Sequence, residues 1–383
     1  MKTISKILCG LMLTSFTYIS EAQVVPKSKK VTELKYSGRI QAQWDGIESD
    51  KTDDDRNHFY FRRLFLGGHA KMGDNWGGDI VIDFAASPNS EGSGKGDQVF
   101  IDGASVWYQQ SDALRIDIGQ LKVPFGIEET SSSSKIKAIE RSAVNRQFAE
   151  RLKFNARHTG LFAKGKLGDY GVSYDLALVN SGQNHNSKDS SLKGGKYGYD
   201  DNELAYYGRL AYANYESDFR HSFGIAGGIM QADPTEADDI TAYNFFGNVG
   251  SGPFNLDGEY MLADISGAAN DENEGYSLQA SYALSNAPKG SWELVYRYSS
   301  VWGNGRDPGD DGLISAKEII RRANIDRSNA DQLDQHYFGV NYLFNGHDAK
   351  VMVGYEMNEA TDNRETIQSL DFDGFRARVQ FLF

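Results

Sequence analysis

Apolar residues recur at every second position along most of this chain. Leu34, Tyr36, Gly38, Ile40, Ala42 and Trp44 alternate with Lys35, Ser37, Arg39, Gln41, Gln43 and Asp45. A period of two held over about a dozen residues predicts a strand with one apolar and one polar face. The pattern returns where Leu114, Ile116 and Ile118 oppose Arg115 and Asp117, and where Phe254, Leu256, Tyr260 and Leu262 oppose Asn255, Asp257 and Glu259. It recurs in Tyr276–Leu284 and Trp292–Ser299, and again at the end, where Phe375, Ala377, Val379, Phe381 and Phe383 oppose Gly374, Arg376, Arg378 and Gln380. Between His58 and Ala70 the adjacent Arg62 and Arg63 interrupt the alternation, and the facing of that stretch stays open.

The connections are sorted by length. Short turns rich in Gly, Asp and Asn fall near Gly73–Asn75, Gln110–Asp112, Gly168–Asp169, Glu216–Asp218, Val249–Gly252, Ser285–Gly290 and Asn345–Asp348. Longer polar stretches fall between them, at Gly46–Asn57, Ser87–Gly96, Pro124–Ala156, Ser181–Asn202, Gln231–Asp239, Asp264–Glu274, Val301–Asp334 and Thr361–Gln368. Seven turns alternating with eight long connections predict sixteen strands, with both chain ends on the short-turn side. A sandwich has no reason to sort its connections this way, whereas an outer-membrane barrel has short periplasmic turns and longer outer loops. A sheet in lipid must also close on itself, and a ring of this size leaves a water-filled channel. The expected fold is therefore all-β, one transmembrane antiparallel barrel over residues 33–383.

Composition supports that architecture. Glycine (41) and tyrosine plus phenylalanine (21 each) are abundant while proline (7) is scarce, as strands with tight turns require. A mean hydropathy of −0.53 looks soluble, but only every second residue of a barrel strand faces lipid. Residues 1–22 read as a secretory signal peptide: Lys2 and Lys6 precede the apolar run Ile7–Ile19, and Ser20-Glu21-Ala22 offers a small-residue cleavage site. Cleavage there removes the single cysteine, Cys9, and leaves residues 23–32 as a short periplasmic leader. A net charge of −13 argues against a nucleic-acid partner.

One stretch breaks the acidic trend. Pro124–Arg157 holds seven Lys or Arg against four Glu. Ser131–Ser134 are placed to cap a helix, and Ile136, Ile139, Ala143 or Val144, Phe148 and Leu152 then recur at steps near 3.6. The expectation is a partly helical third long loop, about 124–156, folded into the lumen with its apolar stripe on the inner wall. Lys122, Lys135, Lys137, Arg141, Arg146, Arg151, Lys153 and Arg157 would then guide anions at a constriction. The competing picture is a solvated helix on an outer loop, which has no need of the stripe. By alternation the wall contributes Lys35, Arg39, Arg115, Arg209, Arg297, Lys350, Arg376 and Arg378 against Asp45, Asp117, Asp175, Asp257, Glu259, Glu293 and Glu356. This near balance does not fix selectivity.

The run Gly119–Glu128, GQLKVPFGIE, the loop after it and the re-entry Arg157-His158-Thr159-Gly160-Leu161 resemble the phosphate-selective porin O and P family. The strand-and-turn layout is similar across the whole chain after the signal peptide. The resemblance implies a sixteen-stranded barrel in the bacterial outer membrane, usually a homotrimer, with the third long loop in the pore. The substrates it implies are small hydrophilic solutes, phosphate-like anions among them. The wall acids depart from a ladder of basic residues dedicated to phosphate.

Other signals carry less chemistry. Asp307, Asp311, Gly312 and Glu318 fall at calcium-loop positions, but Gly309 occupies a position that needs a side-chain oxygen and no entering helix precedes it. An acidic loop tip is the expected reading, with no metal or other cofactor. Gly92–Gly96, GSGKG, lacks phosphate-loop spacing, and no HExxH or GxSxG motif is present, so no enzyme is expected. Trp44, Trp107, Tyr108, Tyr282 and Tyr355 are expected in interfacial girdles. A barrel whose acidic outer loops bind a partner or divalent cations, with transport secondary, is the alternative function.

Overall fold

The computed structural model describes residues 30–50, 56–85, 99–181, 203–231, 239–266, 271–285, 289–304, 314–315, 329–362 and 368–383. Sixteen antiparallel strands form one closed ring. They are β1 (Glu33–Ser49), β2 (Arg56–Met72), β3 (Trp76–Asp83), β4 (Phe100–Ser111), β5 (Leu114–Lys122), β6 (Arg157–Lys166), β7 (Val172–Asn180) and β8 (Leu204–Asn214). The second half comprises β9 (Phe219–Met230), β10 (Ile240–Ser251), β11 (Phe254–Ile265), β12 (Asp271–Ala283), β13 (Ser291–Asn304), β14 (Gln332–Asn345), β15 (Ala349–Asp362) and β16 (Gln368–Leu382). Each pairs with its chain neighbours, and β1 closes on β16 from Arg39↔Leu382 to Ser49↔Phe372. A two-residue ribbon, Ile314–Ser315 with Asn329–Ala330, lies outside the ring. The signal-peptide region and the calcium-like residues Asp307, Asp311 and Glu318 lie outside the described residues.

Both faces follow the alternation. Tyr36, Ile118, Phe223, Ile225, Leu278, Phe375 and Val379 are exposed, whereas Gln41, Gln43, Asp45, Arg376, Arg378 and Gln380 are buried. No helix among the described residues is long and apolar enough to cross a membrane, and the crossing is made by strands. At the short-turn end the Gly38 amide donates to the Phe383 carbonyl at 2.6 Å, and the Phe383 amide donates back at 3.1 Å.

Several expectations change. The strands run further than composition suggested: β1 reaches Ser49, β11 reaches Ile265 and β12 begins at Asp271. The inward residues at these ends, Ile47, Ala263 and Asn273, are buried, so the ladder continues through residues that read as loop. Trp107 is not in an outer girdle. It is 4% exposed, on the inner face, where Nε1 donates to Asp79 at 2.8 Å and the ring lies 4.4 Å under the Arg115 guanidinium. The facing of Arg62 and Arg63 is settled by a β-bulge: Gln41 pairs with Arg63 and Ala42 with Phe61, so both arginines are buried on the inner side. A second bulge leaves Asp102 unpaired between Ile101 and Gly103.

Gly119 on β5 has φ of 146°, and a Cβ there would stand 2.1 Å from the Ala104 carbonyl oxygen of β4. Gly119→Val is therefore expected to destabilise the barrel by about 2 kcal/mol or more. The check is the temperature at which the barrel loses its compact mobility in detergent gels.

Candidate functional site

The segment between β5 and β6 contains two helical turns and a run of serines, where one continuous helix was expected. The first turn is Ile127–Thr130, entered through Gly126 at φ 79°. Its first amides, Ile127 and Glu128, donate to the Glu259 carboxylate of β11. Ser131 does not cap a following helix: its hydroxyl bonds back to the Ile127 carbonyl at 2.7 Å, and Thr130 bonds to Gly126 at 2.7 Å. Backward bonds of this kind end a turn rather than start one. Ser133 is engaged by Arg39 at 2.5 Å. The second turn, Ala143–Arg146, is capped by Ser142, which accepts from the Asn145 amide, and passes into one π-turn at Gln147–Arg151.

The expected apolar stripe is buried residue by residue without forming one line. Ala143, Val144, Phe148 and Leu152 join Phe125, Phe154, Tyr207, Met230 and Met261 in one cluster, while Ala138 and Ile139 join Val295, Tyr337 and Met352 in another. The Phe125 and Phe154 rings meet edge-on at 4.9 Å, and the Tyr207 hydroxyl donates to the Phe154 carbonyl at 2.8 Å.

Glu140 organises the charges. Its carboxylate receives Arg62 at 2.8 Å and Arg378 at 2.7 Å, together with Arg146 from its own segment. Buried guanidinium groups are costly unless paired, and a single carboxylate answers three of them here. Around it Arg376 is held by Asp45 at 2.7 Å and Glu356 at 2.8 Å, and Arg63 donates to Gln41 at 2.9 Å. Arg297 bonds Glu128 at 3.2 Å, and its other contacts are the Glu140 carbonyl at 2.7 Å and Gln335 at 3.0 Å. Lys350 donates to the Ile136 carbonyl at 2.8 Å. On the adjoining short turn, burial and then Lys350, Lys137 and Lys135 push His347 down to about 4, so its ring is neutral at pH 7 and Nδ1 faces the Lys350 ammonium at 3.3 Å. Burial by itself raises the Glu129 carboxyl, but Arg141 at 3.2 Å and Lys122 at 3.1 Å outweigh it and hold it at about 2.

Of the basic residues expected at a constriction, Arg141 and Arg146 are thus buried in ion pairs and do not project into open space. The Arg151 side chain lies outside the described residues, and Lys153 is exposed at the segment's exit, with φ 58°. Lys122, Arg157 and Arg39 line a cavity of about 370 Å³ together with Thr130–Ser133, Phe383 and a single acidic side chain, Asp102, which pairs with Arg157 at 2.6 Å. Lys122, Arg157, Lys164 and Arg209 line a neighbouring space of about 350 Å³ with Asp175. Lys135, Lys137 and Arg297 line a third, of about 540 Å³. Arg115 stays on the wall, paired with Asp117 at 2.6 Å, and Lys35 is exposed beside Glu33. Sequence reasoning missed Arg62, Arg63, Asp102 and the carboxylates of Glu128, Glu129 and Glu140. Only the Arg62-Arg63 pair left a trace, as a break in alternation.

A closed sixteen-stranded ring, apolar outside and charged inside with open cavities, is the architecture of an outer-membrane porin. Residues 34–217 and 226–383 match the family of phosphate-selective porins O and P, and the chain belongs to that family. It is similar to Porin O of Pseudomonas aeruginosa, 23% identical over 418 aligned positions covering 94% of this chain and 90% of the relative. Its fold is similar to that of the outer membrane channel DcaP of Acinetobacter baumannii (TM-score 0.61, 13% identity, 93% of this chain and 99% of that one). It is also similar to an anion-selective porin from Comamonas acidovorans (TM-score 0.60, 12% identity, 91% and 99%).

Two outcomes follow from the charge cluster. Glu140→Gln leaves Arg62, Arg146 and Arg378 without their shared carboxylate, and a loss of about 3 kcal/mol should speed amide exchange in residues 133–146 about 100-fold. The Glu129 carboxyl is held below its ordinary value of 4.5, so its contribution to loop attachment is complete above that pH and is lost as pH falls through about 2. Single-channel current should accordingly stay steady down to that range and become noisy below it, and Glu129→Gln should be noisy already at pH 7.

Proposed function

We propose that this chain is a diffusion porin in which residues 124–156 lie within the lumen, narrow it, and favour small anions of the phosphate type. The observation that carries the reading is the charge around the open space beside the segment. Arg39, Lys122, Arg157, Lys164 and Arg209 line the two adjoining cavities with Asp102 and Asp175, and three of these cations are paired, Lys122 with Glu129, Arg157 with Asp102 and Lys164 with Asp117. Arg39 and Arg209 form no ion pair among the described residues. Arg39 bonds serine hydroxyls, and Arg209 lies 4.7 Å over the Phe246 ring and 3.3 Å from Thr130. Cations held by neutral partners keep their field for a passing solute, and low-dielectric walls focus it.

The placement of the segment is supported by its partners. They come from β1, β2, β11, β13, β15 and β16, and belong to the strand faces that point away from the exposed apolar belt. A connection that crosses the interior of the ring reaches strands this far round it. Residues 1–22 as the secretory signal, and three barrels per assembly, belong to the same proposal.

Reversal potentials of reconstituted channels in a salt gradient test it. Wild-type protein should give a potential set by the anion. Arg39→Gln should lower the anion-to-cation permeability ratio about two- to threefold, the effect of removing one unit charge near the path. A ratio that stays put in both Arg39→Gln and Arg209→Gln would defeat the anion reading.

A further inference from the structure

The third and largest cavity differs in kind from the two cationic ones. It is separated from the first by Ser131 and Ser132, which line both. Its charged lining is Lys135, Lys137 and Arg297 against Glu128, Glu259 and Asp257, three basic and three acidic residues. Most of these groups are already engaged. Arg297 pairs with Glu128 at 3.2 Å, Lys137 approaches Glu293 at 3.7 Å, and Glu259 accepts the segment's amides and Asn244. Two are not. Among the described residues, neither Lys135 on the segment nor Asp257 on β11 has an opposite charge within ion-pair distance. Asp257 is held instead by neutral amides, Asn248 at 2.6 Å, Asn255 at 2.9 Å and Gln279 at 3.4 Å.

We propose that this cavity is a passage site for zwitterionic solutes, free α-amino acids being the simplest. The solute's carboxylate turns toward Lys135 and its ammonium toward Asp257. A simple anion drawn to Lys135 is opposed by Asp257, and a simple cation drawn to Asp257 is opposed by Lys135. A dipolar solute gains at both ends from the field between the two separated charges. The amides that hold Asp257 fix the negative pole and leave it uncompensated. A volume of about 540 Å³ accommodates a molecule of amino-acid size with water. In the cationic cavities the same ammonium end would be repelled. The molecule thus offers two lanes on either side of Ser131-Ser132, one for anions and one for dipoles. This inference rests on the porin reading and names a second solute class for it.

Swelling of proteoliposomes in the amino acid serine and in erythritol, solutes close in size, tests the inference. Asp257→Asn keeps the side chain's size and one of its two acceptor oxygens, and Lys135→Gln alters an exposed side chain, so each tests the field without threatening the barrel. Each should lower the serine rate relative to erythritol about threefold, the factor a unit charge near contact makes in wet surroundings. Arg39→Gln, in the cationic lane, should leave that ratio unchanged. An unaltered ratio in both cavity variants, with erythritol still passing, overturns the inference and leaves the porin standing. An equal fall in Arg39→Gln overturns the assignment to this cavity. Failure of erythritol to pass the wild-type barrel overturns both readings together.

Discussion

The pairing of β1 with β16 is the constraint from which the rest follows. A strand edge in lipid leaves amides and carbonyls with no partner, at several kcal/mol for each unmet group. The ring therefore closes, down to the last residue, where Phe383 exchanges both backbone bonds with Gly38. The Phe383 ring occupies the space above Gly38, where any Cβ would collide with it. Closure makes every strand two-sided, and each charged residue then has only one face on which it is tolerable.

That segregation concentrates buried charge, and the segment between β5 and β6 is fixed by it. Arg62 and Arg378 come from the wall and Arg146 from the segment, and Glu140 serves all three. Glu128 and Glu259 act in series: the wall carboxylate receives the first helical turn, whose own carboxylate receives Ser142 and Arg297. Apolar contact does the remainder, with Phe148 stacked on Phe125 and Phe154 edge-on to it. The basic residues are thereby divided into two populations. Those at the centre of the segment neutralise carboxylates, and those at its flanks and on the nearby wall remain beside open space. Within the second group Lys122 and Arg157 are themselves paired, with Glu129 and Asp102, whereas Arg39 and Arg209 rest on neutral partners and keep more of their field.

Reading the chain without its fold works where the physics is local. Alternation at Leu34–Asp45 and Phe375–Phe383 identifies the faces correctly, because lipid on one side and water on the other impose a period of two on each strand separately. It leaves Arg62 and Arg63 open and is silent on Asp102, because a bulge shifts the register by one residue and a bulge is a property of two strands. It fails at Trp107, whose residue type suits a lipid interface but whose strand position turns it inward onto Gly77, Asp79 and Arg115.

The sequence by itself determined the ring: strand number, the sorting of short turns from long connections, the apolar belt, and a basic segment with apolar residues to anchor it. The tertiary structure decided which charges are spent and which are left. A carboxylate such as Glu140 chooses among arginines that lie far away in the chain, Arg62 and Arg378, and only a closed ring brings them within hydrogen-bonding reach. It likewise decided where the segment's second turn begins, since the hydroxyls of Ser131 and Ser133 are taken by the Ile127 carbonyl and Arg39, whereas Ser142 accepts from the Asn145 amide.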